Sequence, residues 1–208
     1  MPTSYSIIRE TEYRELTKLT LNGRILDLGG SKKSGYQELV GGEHEIITAN
    51  FCAETGCDVL FDMQKKFPFE DEVFDHALCL NVFEHVFHHT FAMQELSRVL
   101  KASGNFVVAV PFMHHIHGSP EDYYRFTRSG LIKLCEDSGF VCQSISEIGS
   151  GIFSLFYQTV GGALPTQWLK FIAKKICLGL DSFFGLFPRY RKLAKTIPLG
   201  YFAVFIKK

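Results

Sequence analysis

The sequence predicts an α/β fold built on a wound, mostly parallel sheet, and three observations carry that expectation. Apolar runs of strand length alternate with helix-length segments from about residue 24 onward. The first of these runs leads directly into a glycine pair, Gly29-Gly30. The composition, 46% apolar and 21% charged over 208 residues, suits one globular domain with a substantial core. Strands separated by helices in this way form parallel βαβ units with helices on both faces of the sheet.

Each element follows from local signals. Residues 1–20 read as an amphipathic lead-in helix with Ile8, Leu16 and Leu19 on its apolar side. "RILDL" is a short buried strand, and "YQELV" starts a helix that Gly41-Gly42 ends. "HEIITAN" is the second strand, "DVLFD" a short third and "FDHALCLNV" the fourth. The helix "FAMQELSRVLKASG" places Leu96, Val99 and Leu100 on one face, and Gly104 stops it. "NFVVAVP" is the fifth strand, ended by Pro111. Thr127 caps the helix "RSGLIKLCEDS", and Gly139 follows its last turn. "FVCQSISEIG" and "LGYFAVFIKK" are the last two strands. Between them, residues 150–197 are rich in Phe, Leu, Ile, Tyr and Trp and are punctuated like helices by Gly161-Gly162, Pro165, Gly179, Gly185 and Pro188. They read as a hydrophobic, basic insertion in a single domain, too short to hold a core of their own.

The net charge of zero is unevenly spread. Residues 1–165 carry 13 Lys/Arg against 21 Asp/Glu, whereas residues 166–208 carry 9 against 1. The basic end suits an anionic surface, with a solvated face as the other reading. The acidic main body repels phosphate backbones and argues against a nucleic-acid partner. Six cysteines without paired spacing, and acids in "MPTSYSIIRETEYREL" where a secretory leader needs an apolar core, point to free thiols in the cytoplasm. No apolar run reaches the about 18–20 residues of a bilayer span.

In a parallel sheet, ligands sit at the C-terminal ends of the strands. Gly29 and Gly30 allow a sharp turn and close backbone approach, and Asp27 can accept hydrogen bonds from a hydroxylated or cationic ligand. An ordinary tight turn is the alternative for that stretch taken alone. Asn50 ends the second strand, where a ribose-binding side chain is expected, and Asp62-Met63 end the third, where a carboxylate can accept from an adenine amino group.

"ILDLGG", "FDMQKKFPFEDEVFDHALCLNVFEHV" and "RVLKASGNFVVAVP" occur in that order over residues 24–111. Together they resemble the class I S-adenosylmethionine-dependent methyltransferases, in their small, methyltransferase-11-like branch. The resemblance implies a Rossmann-like, seven-stranded, mostly parallel sheet with an antiparallel last strand. It also implies S-adenosylmethionine as cofactor. Asp27, Gly29, Gly30 and Ser31 would face its methionine half, and Asn50 and Phe51 its ribose and adenine. Asp62 and Met63 would lie at the adenine edge, with Asn81 and Val82 closing the pocket. The sequence departs from the family's D-x-G-x-G-x-G loop at Ser31 and Lys33, and has Asn50 where the family usually has an acid.

After the fifth strand comes "PFMHHIHGSPEDYYRFTRSGL". Long polar-aromatic loops at the ligand edge are usually functional. This one resembles an H-G-x-P-x-D-Y-Y-R-F-T segment in a subgroup of these methyltransferases, linked with surface-polysaccharide and sugar-modifying pathways. Sugar O-methylation needs a base for the hydroxyl proton, and an imidazole suits it. His117 is the first candidate, then His114 and His115. Asp122, Tyr124, Arg125 and His85 are assigned to the acceptor side, with loop anchoring or packing as their other reading. No metal is assigned, because the histidines lack a recognisable signature such as H-E-x-x-H. In the insertion, Trp168, Leu169, Ile172, Ile176 and Leu180 fall at helical spacing, with Lys170, Lys174 and Lys175 on another side. A peripheral contact with the inner membrane surface through residues 166–195, a lid, and a homodimer face are the readings open there. The expected function is methyl transfer to oxygen of a small-molecule or carbohydrate-like acceptor, free or lipid-linked. A non-catalytic protein on the same fold is the alternative.

Overall fold

The computed structural model describes residues 6–118 and 121–208; the first five residues of the lead-in segment, and Ser119 and Pro120 of the histidine-rich loop, lie outside them. Among the described residues seven strands form one sheet: β1 (Gly23–Leu28), β2 (His44–Asn50), β3 (Val59–Leu60), β4 (Phe74–Leu80), β5 (Leu100–Pro111), β6 (Phe140–Ser150) and β7 (Pro198–Lys207). Their order is β3-β2-β1-β4-β5-β7-β6. The pairings among the first five strands are parallel, and β7 runs antiparallel between β5 and β6. This is the Rossmann-like sheet with an antiparallel last strand that the sequence led us to expect.

Alternation along the central strands builds a core on each face. Leu26, Ala77, Cys79, Phe106 and Val108 point to one face, where they meet Leu96 and Val99 of α2 (His89–Val99) and Leu131 and Cys135 of α3 (Arg128–Asp137). Ile25, Leu78, Val107 and Ala109 point to the other face, against Ile7, Ile8 and Leu16 of α1 (Ile7–Leu16). Both faces being covered explains why β4 and β5 read as near-continuous apolar runs. The expected cap of α3 is present: the Thr127 hydroxyl accepts from Gly130 N at 3.1 Å.

Three elements differ from the sequence expectation. The lead-in helix is Ile7–Leu16 and is capped at Thr17, so Leu19 lies beyond its end. "YQELV" is a single 3-10 turn, Tyr36–Leu39, because Gly35 at φ +67° turns the chain and the Tyr36 hydroxyl is drawn down onto β1. Gly104 does not stop a helix. α2 ends at Val99, Leu100 is already extended, and "LKASG" opens β5, which pairs with β4 through a register shift between Phe74 and His76. Gly104 lies where the neighbouring strand comes close; a Cβ there would stand 2.6 Å from the Asp75 carbonyl oxygen.

The segment between β6 and β7 contains α4 (Ile152–Val160), α5 (Gln167–Phe184) and α6 (Pro188–Ala194). Asp181 of α5 ties the three together. It accepts from the backbone N–H of Phe153 at 3.1 Å and of Ser154 at 2.6 Å, at the start of α4, and from the Tyr190 hydroxyl of α6. Lys174 does not lie with Lys170 and Lys175 on the outer side. It is buried, and its ammonium pairs with Glu10 of α1 at 2.9 Å. Asp181→Ala removes an acceptor from several donors and is expected to loosen α4–α6 by about 1–3 kcal/mol. Limited proteolysis checks this: cleavage within residues 152–194 should accelerate, and an unchanged digestion rate would exclude the clamp.

Candidate active site

The C-terminal ends of β1 to β4 surround a cavity of about 750 Å³. It lies where the strand order reverses between β1 and β4, the usual ligand position of a wound sheet. Its size falls in the range of small-molecule and cofactor sites. Gly29, Asn50, Phe51, Asp62, Met63 and Val82, all singled out in the sequence for a cofactor, line it. His85, assigned to the acceptor side, lines it too.

Gly29 forms the floor beside Val82. It has φ +76°, and a Cβ there would sit 2.2 Å from Val82 Cγ2, so both backbone and space require glycine. Gly30 turns the other way, with a would-be Cβ 2.3 Å from Asp27 Oδ2. It does not line the cavity.

Asp27 is fully buried behind the loop. Its carboxylate accepts from the Tyr36 hydroxyl at 2.8 Å and from Gln37 Nε2 at 2.8 Å. Burial lifts its pKa to about 6, against the pull of these two donors. Gln37 Nε2 also reaches the Ser31 carbonyl at 3.1 Å. Ser31 itself donates to the Thr55 carbonyl at 2.9 Å, joining this loop to the one after β2. Asp27 and Ser31 thus hold the loop from its far side and do not line the cavity.

Asn50 plays two parts. Its side chain lines the cavity, yet its Nδ2 donates to the carbonyls of Gly29 at 2.9 Å and Gly30 at 3.2 Å, while its Oδ1 accepts from Cys52 N at 3.1 Å. A carboxylate could not make the first two bonds, since it has no donor. Asn81, expected in the pocket wall, instead donates to buried Glu12 of α1 at 2.6 Å and adopts φ +55°. Phe51 and Leu60 are exposed apolar surfaces at the cavity, and Leu60 and Tyr123 are lining residues that the sequence did not single out.

The histidine-rich loop folds against the short turn after β4. Backbone N–H groups of Tyr123 and Tyr124 donate to the Glu84 carbonyl at 2.8 and 3.3 Å. Arg125 forks onto Asp122 at 2.5 and 2.6 Å and also reaches the carbonyls of Tyr124 and His115. This pairing holds the Asp122 carboxyl well below the usual range. Asp122 in turn accepts from the backbone N–H of His117 at 2.9 Å, so Asp122 and Arg125 clamp the loop from within. The Tyr124 hydroxyl donates to the Phe87 carbonyl at 3.3 Å. None of these three lines the cavity. His114, His115 and His117 cluster, with ring centroids of His114 4.2 Å from His115 and 4.8 Å from His117. Burial lowers the pKa of His114 and His117. His117 packs edge-on to His85 at 5.1 Å, which brings it to the side of the cavity.

Glu84 is the residue sequence reasoning passed over. Its carboxylate is fully buried beside His85 and His117, with neither oxygen hydrogen-bonded among the described residues. Burial lifts its pKa to about 8. The only signal in the sequence was its place next to His85 in "FEHV".

Residues 42–108 match the methyltransferase domain family, a span that holds every sequence-predicted cofactor residue from Asn50 to Val82. A curated relative, an uncharacterised protein of Methanocaldococcus jannaschii, is 46% identical over 43 residues; the match covers 21% of this chain and only 19% of the relative. Among solved structures, the complex between the Haloferax volcanii Trm112 methyltransferase activator and its methyltransferase partner matches with TM-score 0.61 at 15% identity, over 97% of this chain and 89% of that one. An S-adenosylmethionine-dependent methyltransferase from Mesorhizobium loti matches with TM-score 0.57 at 12% identity, over 89% and 92% of the two chains.

Asn50→Asp replaces two donated hydrogen bonds with a carboxylate facing two carbonyls. It is expected to destabilise the protein by about 1–3 kcal/mol. Urea unfolding measures this, and a neutral or stabilising result would mean that the amide does not hold the loop.

Proposed function

We propose that this chain, a class I S-adenosylmethionine-dependent methyltransferase, moves the cofactor's methyl group to a hydroxyl of a carbohydrate-like acceptor. One observation carries the reading: six residues expected to contact the cofactor meet around one cavity at the sheet's switch point. The Phe51 ring offers a stacking face for adenine, and Asp62 an acceptor for its amino group. Gly29 leaves room for the methionine half above Val82. The acceptor enters from the side of His85 and Tyr123. Its oxygen attacks the methyl carbon, the carbon–sulfur bond breaks with its electrons passing to sulfur, and the hydroxyl proton goes to a loop imidazole. His117 is the first choice for that imidazole, with His114 and His115 next. The protein's main contribution is alignment of donor and acceptor.

A non-catalytic protein on the same fold is the second reading. It is favoured by Asn50, whose donors are spent on the glycine loop where a ribose-binding carboxylate is usual. Calorimetry separates the two. S-adenosylmethionine should bind, Phe51→Ala and Asp62→Ala should each weaken it about tenfold, and His117→Ala should leave affinity within about twofold while abolishing label transfer to a saccharide panel; each tenfold corresponds to about 1.4 kcal/mol. No binding at millimolar cofactor overturns the methyl-transfer reading.

The segment 166–195 supports a peripheral membrane contact, which suits a lipid-linked acceptor at the cytoplasmic face. Trp168, Phe171, Ile176, Phe183, Leu186 and Phe187 are exposed; Lys170 and Lys175 lie among them in sequence, and Arg191, Lys192 and Lys195 follow. Among the described residues no helix is long and apolar enough to cross a membrane, so the contact would be interfacial. Each basic residue near an anionic surface contributes about 1 kcal/mol. The protein should sediment with phosphatidylglycerol vesicles, and a Lys192→Glu/Lys195→Glu variant should do so several-fold less. Equal sedimentation of both would remove the membrane reading, and a concentration-dependent dimer without vesicle binding would assign this face to self-association.

A further inference from the structure

We propose that Glu84, His85 and His117 form a binding site for one divalent transition-metal ion of the zinc class at the side of the cavity. Three ligand atoms, one from each residue, lie within 4.8 Å of one another. Glu84 Oε1 stands 3.7 Å from His85 Nε2 and 3.6 Å from His117 Nε2.

The tautomers favour a cation there. His85 Nδ1 lies 2.5 Å from the Glu121 carbonyl, and His117 Nδ1 lies 3.3 Å from the His115 carbonyl. A carbonyl accepts only, so each Nδ1 carries a proton, and in the neutral imidazole each Nε2 presents a lone pair. A backbone carbonyl on the far nitrogen is the support that metal-bound histidines usually have. Two imidazole lone pairs therefore converge on a fully buried carboxylate that has no hydrogen-bond donor among the described residues. Arg125 acts on it only through its charge at a distance, because its hydrogen bonds are committed to Asp122 and to two carbonyls.

Such a cluster needs either a proton or a cation at its centre. A proton on Glu84 would remove its charge but leave its O–H without an acceptor in hydrogen-bond range, since the imidazole nitrogens stand 3.6–3.7 Å away. A tetrahedral ion with ligand bonds of about 2.0–2.2 Å sets its ligand atoms about 3.4 Å apart, close to the two carboxylate–imidazole spacings, and binding would draw the two imidazoles, within 4.8 Å of each other, together. Two imidazoles and one carboxylate suit zinc, cobalt, iron or nickel, whereas magnesium and calcium favour all-oxygen sets. Three protein ligands leave a position open, as in catalytic rather than structural sites. Resting on the proposed methyl transfer, that position would take the acceptor hydroxyl and lower its pKa. In the loaded state His117 holds the ion and cannot act as base, so the bound hydroxyl passes its proton to the neighbouring His114 or His115 imidazole.

The test starts from chelator-treated, dialysed full-length protein, titrated with Zn(II) by calorimetry and with Co(II) by visible absorption. One equivalent should bind, with the d–d bands of a low-coordinate cobalt site. Glu84→Gln and His117→Gln should each weaken binding by at least ~100-fold, while His88→Ala/His89→Ala should not change it. If Glu84→Gln fails to fold by circular dichroism, His85→Gln supplies the same comparison. Absence of a one-equivalent site, retention of full affinity in the folded ligand variants, or equal affinity for Mg(II) overturns the proposal. S-adenosylmethionine titrated into the same metal-free preparation keeps the two readings apart: cofactor binding without metal binding defeats only the metal site, and the reverse defeats only methyl transfer.

Discussion

A buried carboxylate at the end of β1 governs the shape of the ligand edge. Asp27 has no access to water, so its charge must be met by donors from the protein itself. Tyr36 and Gln37 supply them, and to do so the chain after the glycine pair has to fold back over the strand instead of running away as a helix. That return fixes the loop. The carbonyls of Gly29 and Gly30 then face β2, where the Asn50 amide meets them, and the Ser31 hydroxyl is left to reach Thr55. A single electrostatic requirement thus orders the backbone on which the cavity rests.

The same economy recurs at the opposite wall. The histidine-rich loop is irregular and long, and it is held by the Asp122–Arg125 fork and by two N–H groups on the Glu84 carbonyl. Most charged groups near the cavity are consumed by holding loops in place. The surface left open is mainly apolar, with Asp62, Gln64, His85, Glu121 and the Asn50 amide among its polar marks. Such a surface favours a ligand with a flat aromatic part and few, well-placed polar atoms.

How much of this was legible follows from what each signal encodes. Strands β2, β4, β6 and β7 could be read because burial on one or both faces writes itself into residue order. The turn at Tyr36 could not, since "YQELV" has helix-forming residues and only the distant Asp27 pulls it out of that geometry. Gly104 looked like a helix stop, but proximity to β4 explains it, and proximity is not visible in one dimension. At the cavity, Gly29, Asn50, Phe51, Asp62, Met63 and Val82 were legible because strand ends in a wound sheet must share an edge. Asp27, Ser31 and Asn81 sit at equally suggestive places, yet a sequence does not show which side of a loop a side chain takes. Glu84 was hidden for another reason: an acid beside a histidine resembles any solvated pair until the loop closes over it.

The antiparallel entry of β7 has a consequence for assembly of the sheet. Because β7 lies between β5 and β6, β6 has no neighbour until the chain has passed through α4, α5 and α6. During synthesis the strands from β1 to β5 can join in sequence, while one edge stays open and apolar, and Phe205 and Val204 arrive late to seal it. The β5–β7 pairing is a contact of long sequence separation, of the kind whose closure slows folding. A chain held just short of residue 198 would expose an unpaired edge of the kind that chaperones screen.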